Sequence, residues 1–180
     1  AVDAVEVMAL DEHTLRASLD NSTTRDTWRN QANLLSDEID LARSFILIGA
    51  PRHLLEGTGT GQTVLWFGNG LNHLSQAEFV RHYTTRHGPL VAGHGAHIGL
   101  QHYVQVSADR EDLCTTLREC GLGEAPSPAV FAALVMGRSP LNLAALRARR
   151  AAEREIRTDE KRHIDFRNSM LLLVGKTSNE

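Results

Sequence analysis

The chain has 180 residues, of which 42% are hydrophobic, 23% charged and 5% aromatic, and its formal net charge is −3. These values allow a packed core without disulfide or metal staples, and they exclude a disordered chain and a disulfide-rich miniprotein. The near-neutral balance of 19 basic against 22 acidic residues argues against a nucleic-acid binder, which needs a basic face. No apolar run approaches the roughly 18–20 residues that cross a membrane.

The first 56 residues contain a strand–helix–strand pattern that recurs later in the chain. AVDAVEVM (1–8) parallels AVFAALVM (129–136), and residues 35–49 parallel residues 157–175. Both members of the second pair carry Asp-Glu, a short helical span, a Ser and an aliphatic run that ends in Gly. Short apolar runs followed by polar residues are typical of buried strands. We therefore expect residues 1–56 to be a partial repeat that needs a partner to cover its sheet.

A Gly/Thr stretch at residues 57–61 is typical of a flexible linker, and it precedes a second region at 62–178. Aromatic and β-branched residues at 63–67 predict a strand. Ser75 and Glu78 then form a capping-box pattern, which predicts the start of a helix.

This helix carries Phe79, Tyr83 and His87 at intervals of four residues. Side chains at this spacing share one face, which we expect to point into the core. Gly88-Pro89 follows directly, and proline removes a backbone donor, so we expect a break or kink just after His87.

Further along this region we expect a strand at 100–106, a short helix at 109–119 and a strand at 129–136. A long helix follows Ser139-Pro140, and a closing strand lies at 171–174. Ser139 and Pro140 fit the N-cap and the first position of the long helix. Residues 62–178 thus read βαββαβ with an extra short helix. This order predicts an α+β fold of the ferredoxin-like kind, an antiparallel sheet with helices on one face.

Three motifs in this region resemble the EthD family of the dimeric α/β-barrel superfamily. They are the helix that runs into His-Gly-Pro-Leu (87–90), the strand segment Gln-His-Tyr-Val-Gln (101–105), and the closing Asp-Glu-Lys-Arg-His-Ile-Asp (159–165). His163 stands where the family usually has Phe. The resemblance implies a dimeric α/β-barrel assembly, either as a homodimer or as a pseudo-dimer of two repeats in one chain.

The first copy of the repeat lacks an opening β-α-β, and the chain begins with Ala rather than Met. We therefore expect residues 1–180 to be part of a longer polypeptide. Intact mass spectrometry tests this expectation, because a mass of 19.8 kDa would contradict it.

The resemblance also implies chemistry, since related members cyclise, dehydrate, decarboxylate, isomerise or oxygenate aromatic compounds, many of them without a metal or organic cofactor. We therefore expect an enzyme without cofactors that moves protons on a small aromatic or polyketide-type substrate by cyclisation, dehydration or isomerisation. Two alternatives stay open. One is a non-catalytic ligand-binding or scaffold barrel, and the other is a cofactor-free oxygenase.

Six of the nine histidines lie between residues 73 and 102. Histidine titrates near neutrality and serves as a general acid or base. His87 is the leading candidate, because it matches the family motif and lies on the inward face; the alternative is a structural imidazole bonded to carbonyls at the Gly-Pro break. Tyr83, one turn earlier, either orients His87 and the substrate or is an aromatic core residue.

Counted from Leu100, alternation along the strand puts His102, Val104 and Val106 on one face and Tyr103 on the other. We expect the apolar face to point towards the helices, which would place His102 in the pocket and Tyr103 on a partner-facing surface. Trp66, on the first strand of this region, either contacts a substrate ring or belongs to the core.

We expect His94 and His97 to lie in a Gly-rich loop, where they are candidate substrate contacts. Two histidines at this spacing can share a metal with His87 or His102. No cysteine lies nearby and no His-Glu-x-x-His pattern is present, so we expect no metal site.

The two cysteines, Cys114 and Cys120, are six residues apart, which on a helix separates them too far for a disulfide. Reduced thiols and an N-terminus without a basic region lead us to expect a cytoplasmic protein. The arginine-rich run at 147–150, followed by alternating charges, indicates a solvated helix face.

Overall fold

A computed structural model describes residues 11–57, 61–137 and 142–174. Its helices are α1 (Glu12–Asp20), α2 (Ser22–Leu35), α3 (Gln76–His82), α4 (Gly88–Gly93), α5 (Gly95–Ile98), α6 (Glu111–Glu119) and α7 (Leu143–His163). Its strands are β1 (Pro51–Leu55), β2 (Gln62–Gly68), β3 (Leu100–Ser107), β4 (Val130–Met136) and β5 (Met170–Val174). Within the described ranges, no helix has the length and apolar character that a membrane span requires.

The described chain forms two compact units, one from residues 11–46 and 110–126 and the other from the remaining described residues. In the first unit, the side chains of Asp11 and Asn21 cap α1 and α2, which satisfies backbone donors that a helix start leaves open. The predicted helix at 109–119 is confirmed as α6, and its buried face contains one of the two buried cysteines.

The second unit contains a five-stranded sheet in the order β1-β3-β4-β2-β5, with every neighbouring pair antiparallel. Strands β2 to β5 have the order and connections of a βαββαβ ferredoxin-like sheet, so the predicted α+β fold is confirmed. The strands predicted at 63–67, 100–106, 129–136 and 171–174 correspond to β2, β3, β4 and β5. Strand β1 extends the sheet beside β3.

The strand predicted for the aliphatic run at the end of residues 35–49 is wrong. In that run Phe45 forms one isolated bridge with Glu124, and the strand begins only at Pro51. Proline has no N–H to donate, and it is tolerated as the first residue of a strand at a sheet edge. The repeat over 1–56 itself stays a prediction, because its first strand at 1–8 lies outside the described residues, as does most of the linker at 57–61.

The long helix α7 begins at Leu143, and Asn142 is its N-cap, accepting a hydrogen bond from the Ala145 N–H at 2.8 Å. The predicted start at Ser139-Pro140 is therefore wrong in position, and those two residues lie outside the described chain. An Asn side chain accepts a hydrogen bond from an open helix donor as well as Ser does.

Helices pack on one face of the sheet through two clusters of buried side chains. One contains Phe79, Tyr83, Ala129, Val130 and Ile164, and the other contains Val91, Leu100, Tyr103, Ala132 and Ile156. Trp66 packs against both clusters from β2. The inward face predicted for Phe79, Tyr83 and His87 is confirmed, since their exposed fractions are 0%, 2% and 5%.

The helix that follows the capping box changes its winding before Pro89. The capping box is confirmed, with Ser75 and Glu78 bonded in both directions. A π-helical segment then spans Tyr83–His87, and the Gly88 N–H bonds the Tyr83 carbonyl five residues back. We expected a break after His87, but the helical path continues as α4. The irregularity is one wide turn that accommodates the missing proline donor.

The wide turn leaves the Thr84 carbonyl without a helical donor, because residue 89 is proline and the Gly88 N–H is already used. The guanidinium of Arg52, on β1, donates to this carbonyl. The edge strand therefore satisfies a backbone acceptor that the helix cannot.

Strand β3 contains an irregularity that reverses its alternation. Its register with β4 shifts between Leu100 and His102. Leu100 and Tyr103 are consequently both buried under the helices, although three positions separate them. The extra residue puts His102 on the opposite face, where its ring meets His53 edge-on at 6.2 Å. The prediction that His102 faces the helices and Tyr103 faces away is therefore wrong.

Candidate functional site

The carboxylate of Asp159, on α7, joins two histidines from the helical segment opposite. Its Oδ1 atom lies 2.8 Å from His82 Nε2, and its Oδ2 atom lies 3.0 Å from His87 Nδ1. The Asp159 side chain is 19% exposed, against 14% for His82 and 7% for His87. The carboxylate is thus the most accessible of these three groups.

His163 lies one turn after Asp159 on α7. Its Nδ1 atom is 2.9 Å from the Asp159 backbone carbonyl and 3.7 Å from Asp159 Oδ1. Its ring stacks on the ring of His82, with centroids 3.3 Å apart and planes 11° apart. We call His82, His87, Asp159 and His163 the Asp159 cluster.

The π-helical segment explains how His82 and His87 reach one carboxylate. In a regular α-helix, residues five positions apart point in directions about 140° apart. The wider winding over Tyr83–His87 aligns residues five apart, as its hydrogen bonds do. The local sequence before Pro89 therefore creates this pairing.

His87 has one hydrogen-bond partner, the Asp159 carboxylate, rather than the backbone carbonyls that a structural role at the Gly-Pro break predicts. Burial lowers the pKa of His87, and the adjacent Asp159 carboxylate opposes part of that shift. The neutral imidazole therefore prevails at pH 7. Its Nδ1–H donates to Asp159, and Nε2 has no partner among the described residues.

A second polar group lies deeper, between α3 and the sheet, and we call Tyr83, Tyr103 and Gln105 the tyrosine network. The two hydroxyls are 3.4 Å apart, and Gln105 Nε2 donates to the Tyr103 hydroxyl at 2.7 Å. Gln105 is 1% exposed, and its Oε1 atom has no hydrogen-bond partner in the part of the chain that the structure describes. Burial raises the pKa of Tyr103 to about 12 and that of Tyr83 well above its usual value.

The structure brings together three of the predicted site residues. Trp66 stacks on Tyr83 with ring centroids 5.3 Å apart, and Tyr83 stacks on His87 at 5.0 Å. The three rings thus form one continuous stack. His102 is absent from this group because the irregularity in β3 turns it to the other face.

The predicted pair His94 and His97 lies apart from the Asp159 cluster. His94 caps the end of α4 and His97 lies in α5, so this segment is helical rather than a glycine-rich loop. The two rings are 6.2 Å apart. His94 Nε2 pairs instead with Glu155 of α7 at 3.0 Å.

A shallow, open surface pocket of about 420 Å³ lies beside the Asp159 cluster, and we call it the cavity. It is lined by Leu90, Ala151, Arg154, Glu155, Thr158, Asp159 and Arg162. None of the predicted site residues is among them. Asp159 is the one member of the cluster that reaches the cavity, and His87 lies behind it.

Asp159 and His82 were not among the predicted site residues. Asp159 is the first residue of the 159–165 motif, but that motif was used only as part of the resemblance to the EthD family. His82 lies off the inward stripe of its helix, and the π-helical winding brings His87 into line with it at Asp159. A carboxylate four residues before His163 on a predicted helix was the available signal.

The sheet order and the helices on one face define an α+β protein of the ferredoxin-like kind. The EthD domain model matches residues 71–167, which is more than half of the chain, and the chain belongs to this family of dimeric α/β-barrel proteins. The matched range includes the whole Asp159 cluster and the tyrosine network. No curated protein and no solved structure matches the chain.

Proposed function

We propose that the chain is an enzyme that moves a proton on a small aromatic or polyketide-type molecule, without an organic cofactor, in a cyclisation, dehydration or isomerisation. One observation carries this proposal: the Asp159 carboxylate is bonded to His87 at 3.0 Å and also forms part of a cavity wall. Membership of the EthD family supports the substrate class, as the resemblance implied.

In the proposed reaction, the substrate occupies the cavity with its ring against Leu90 and Ala151. Asp159 takes a proton from a carbon next to a carbonyl group, and the electron pair of that C–H bond forms the C=C bond of an enolate. Asp159 then returns the proton to another carbon or to a leaving hydroxyl. His87 holds the carboxylate in place and can exchange a proton with it, because the two atoms lie at hydrogen-bond distance.

A non-catalytic ligand-binding or scaffold role is the second candidate. The close stacking of Trp66, Tyr83 and His87 favours it, because these rings contact each other where a substrate was expected to lie. In that case the cavity beside Asp159 would hold a ligand without changing it.

The proposal includes a second copy, either another chain or a repeat of this one, packed against the sheet face that carries His102. Neighbouring side chains on that face are partly exposed and apolar, among them Val104 and Val135. A cytoplasmic location is also proposed, because the two buried cysteines are thiols.

Exchange of carbon-bound hydrogen for deuterium tests the catalytic proposal. The probe is 2-tetralone, a bicyclic ketone whose benzylic hydrogens next to the carbonyl group are acidic, followed by proton NMR in D₂O with EDTA present. We expect the wild-type chain to accelerate exchange, and Asp159→Asn to lose about 100-fold or more of that rate. Glu155→Gln is the matched control, because Glu155 also lines the cavity and also pairs with a histidine.

His87→Gln should lower the exchange rate less than Asp159→Asn, because His87 acts through the carboxylate. Equal rates for Asp159→Asn and the wild type would refute the catalytic assignment. Binding of 2-tetralone with exchange at the buffer rate would favour the non-catalytic role instead.

A further inference from the structure

Three side chains of the Asp159 cluster offer metal-ligand atoms close together. One atom each from His82, Asp159 and His163 lies within 4.8 Å of the other two. All three side chains are partly buried, with exposed fractions between 14% and 24%. Asp159 and His163 lie four residues apart on α7, so they project from the same face of one rigid helix.

The donor set suits a divalent transition metal. Two imidazole nitrogens and one carboxylate oxygen form a common set of three protein ligands for Zn²⁺, with metal–ligand distances of about 2.0–2.2 Å. Tetrahedral bonds of that length place neighbouring ligand atoms about 3.3 Å apart. His82 Nε2 and His163 Nδ1 lie 2.8 and 3.7 Å from Asp159 Oδ1, so each distance needs to change by less than about 1 Å.

One rearrangement is required, because a bound metal lies near the plane of each ligating ring. The stacked rings of His82 and His163 have planes 11° apart and must tilt away from each other. Among residues 11–57, 61–137 and 142–174, the one hydrogen bond to the His163 side chain joins it to the Asp159 backbone carbonyl. Rotation of His163 would exchange this bond for a metal–nitrogen bond.

The surroundings supply the other parts of such a site. His87 donates to Asp159 Oδ2, which leaves Oδ1 to face the other two histidines. Hydrogen bonds of this kind orient carboxylates that ligate metals. Asp159 also lines the cavity, so a water or a substrate oxygen can reach the fourth position.

We propose that His82, Asp159 and His163 bind one divalent transition-metal ion of the Zn²⁺ type, with the fourth position open to the cavity. A second consequence rests on the proposed function: metal binding engages the Asp159 carboxylate and so inhibits proton transfer. The site then serves as an inhibitory metal site, and the enzyme is active when it is empty.

Calorimetric titration of the full chain with ZnCl₂, after EDTA treatment and without a polyhistidine tag, tests the site. We expect one ion per chain in the wild type, and at least tenfold weaker binding in His163→Phe and in His82→Gln. His94→Gln is the matched control, since the side chains of His94 and His163 are both 24% exposed and each is near a carboxylate. It should bind zinc as the wild type does.

Co²⁺ gives a second readout, because tetrahedral coordination produces intense visible absorption. This band should appear in the wild type and in His94→Gln and be lost in His163→Phe. Circular dichroism in EDTA establishes that each variant is folded, and His82→Gln replaces His163→Phe if the latter is not. Zinc affinity that is the same in folded His163→Phe, His82→Gln and the wild type would overturn the site.

Inhibition is measured separately, as the rate of 2-tetralone exchange with and without one equivalent of Zn²⁺. Zinc should slow exchange by the wild type and should have at least tenfold less effect on His163→Phe. Calorimetry and the Co²⁺ spectrum do not depend on turnover, so they decide the metal site even if the chain proves non-catalytic. Full exchange activity in zinc-saturated wild type would overturn the inhibitory role.

Discussion

The Asp159 cluster and the tyrosine network adjoin the same π-helical turn but differ in charge and access. The cluster has a carboxylate and three imidazoles, and its carboxylate is 19% exposed at a cavity wall. The network has two phenols and an amide, all at most 2% exposed. A polar group in a core is therefore a candidate for chemistry only where a titratable atom also reaches solvent or a ligand. By this criterion the Asp159 cluster is the candidate for chemistry and the tyrosine network is part of the packed core.

The largest contrast concerns alkaline pH, since the chain has two tyrosines and both belong to the network. Burial raises the pKa of Tyr103 to about 12 and that of Tyr83 well above 10. The folded state therefore favours the neutral phenols. Their contribution to the free energy of unfolding is fully present below pH 10 and is lost as pH rises towards 12. For Tyr103 alone the loss is on the order of 2–3 kcal/mol.

Phenolate absorbance during a pH titration measures this effect. The folded protein should show no tyrosine ionising near pH 10, and ionisation should coincide with loss of the circular dichroism signal. A phenolate step near pH 10 in a protein that remains folded would contradict the burial of the network.

Packing around the network can be tested at Gly88. A Cβ atom there would lie 2.6 Å from Gln105 Nε2 and 2.8 Å from Leu54 Cδ1. We expect Gly88→Ala to lower the free energy of unfolding by about 1–3 kcal/mol, because the network must move to accept a methyl group. Urea denaturation measures the change.

Gly93→Ala is the control from the same helix, where a Cβ would meet no atom within 4 Å. This variant should gain about 0.5 kcal/mol from the lower entropy of its unfolded chain. If both glycines tolerated alanine equally, the close approach between α4 and the network would be disproved.

In the cluster, Asp159→Asn should lower the free energy of unfolding by about 1–2 kcal/mol, since a charged acceptor shared by two histidines is lost. Glu155→Gln removes a more exposed carboxylate from His94, and exposed pairs contribute less than about 1 kcal/mol. Thermal denaturation of the two variants at pH 7 compares them. A smaller loss of unfolding free energy for Asp159→Asn than for Glu155→Gln would show that the shared carboxylate does not stabilise the fold more than an exposed one.

The smallest expected effect is at Arg52, whose guanidinium donates to the Thr84 carbonyl from an exposed strand. Arg52→Met keeps most of the aliphatic stem but removes the donor. We expect a loss of about 1 kcal/mol, because water can partly replace the hydrogen bond. Arg43→Met, another exposed arginine, is the control and should change the free energy by less than about 0.5 kcal/mol. Equal values for the two variants would mean that the Thr84 carbonyl does not need this donor.

Much of the second unit was predictable from the sequence because its signals are local. Aromatic and β-branched residues indicated β2, a short apolar run indicated β4, and the Ser75–Glu78 pattern indicated the start of α3. The spacing of Phe79, Tyr83 and His87 indicated the buried face, because side chains four residues apart lie on the same side of a helix. These predictions required no knowledge of distant contacts.

The errors arose where one residue changes the periodicity. The irregularity in β3 reverses every later side chain of that strand, so counting from Leu100 assigned His102 and Tyr103 to the wrong faces. The site was incomplete for a related reason. Asp159 lies on a helix with many charges, where a carboxylate usually means a solvated face, and only the packing of α7 against the π-helical turn distinguishes it.

The π-helical turn at Tyr83–His87 also has a consequence for insertions and deletions in this family. In a regular α-helix of the present length, His87 would point about 140° away from His82 and from the carboxylate that His82 reaches, although every side chain of the cluster was still present. Removing one residue from 83–86 would restore regular winding and leave the two histidines four residues apart, a spacing that again shares one face of the helix. The winding of this turn and the number of residues between the two histidines must therefore change together if both are to share the Asp159 carboxylate.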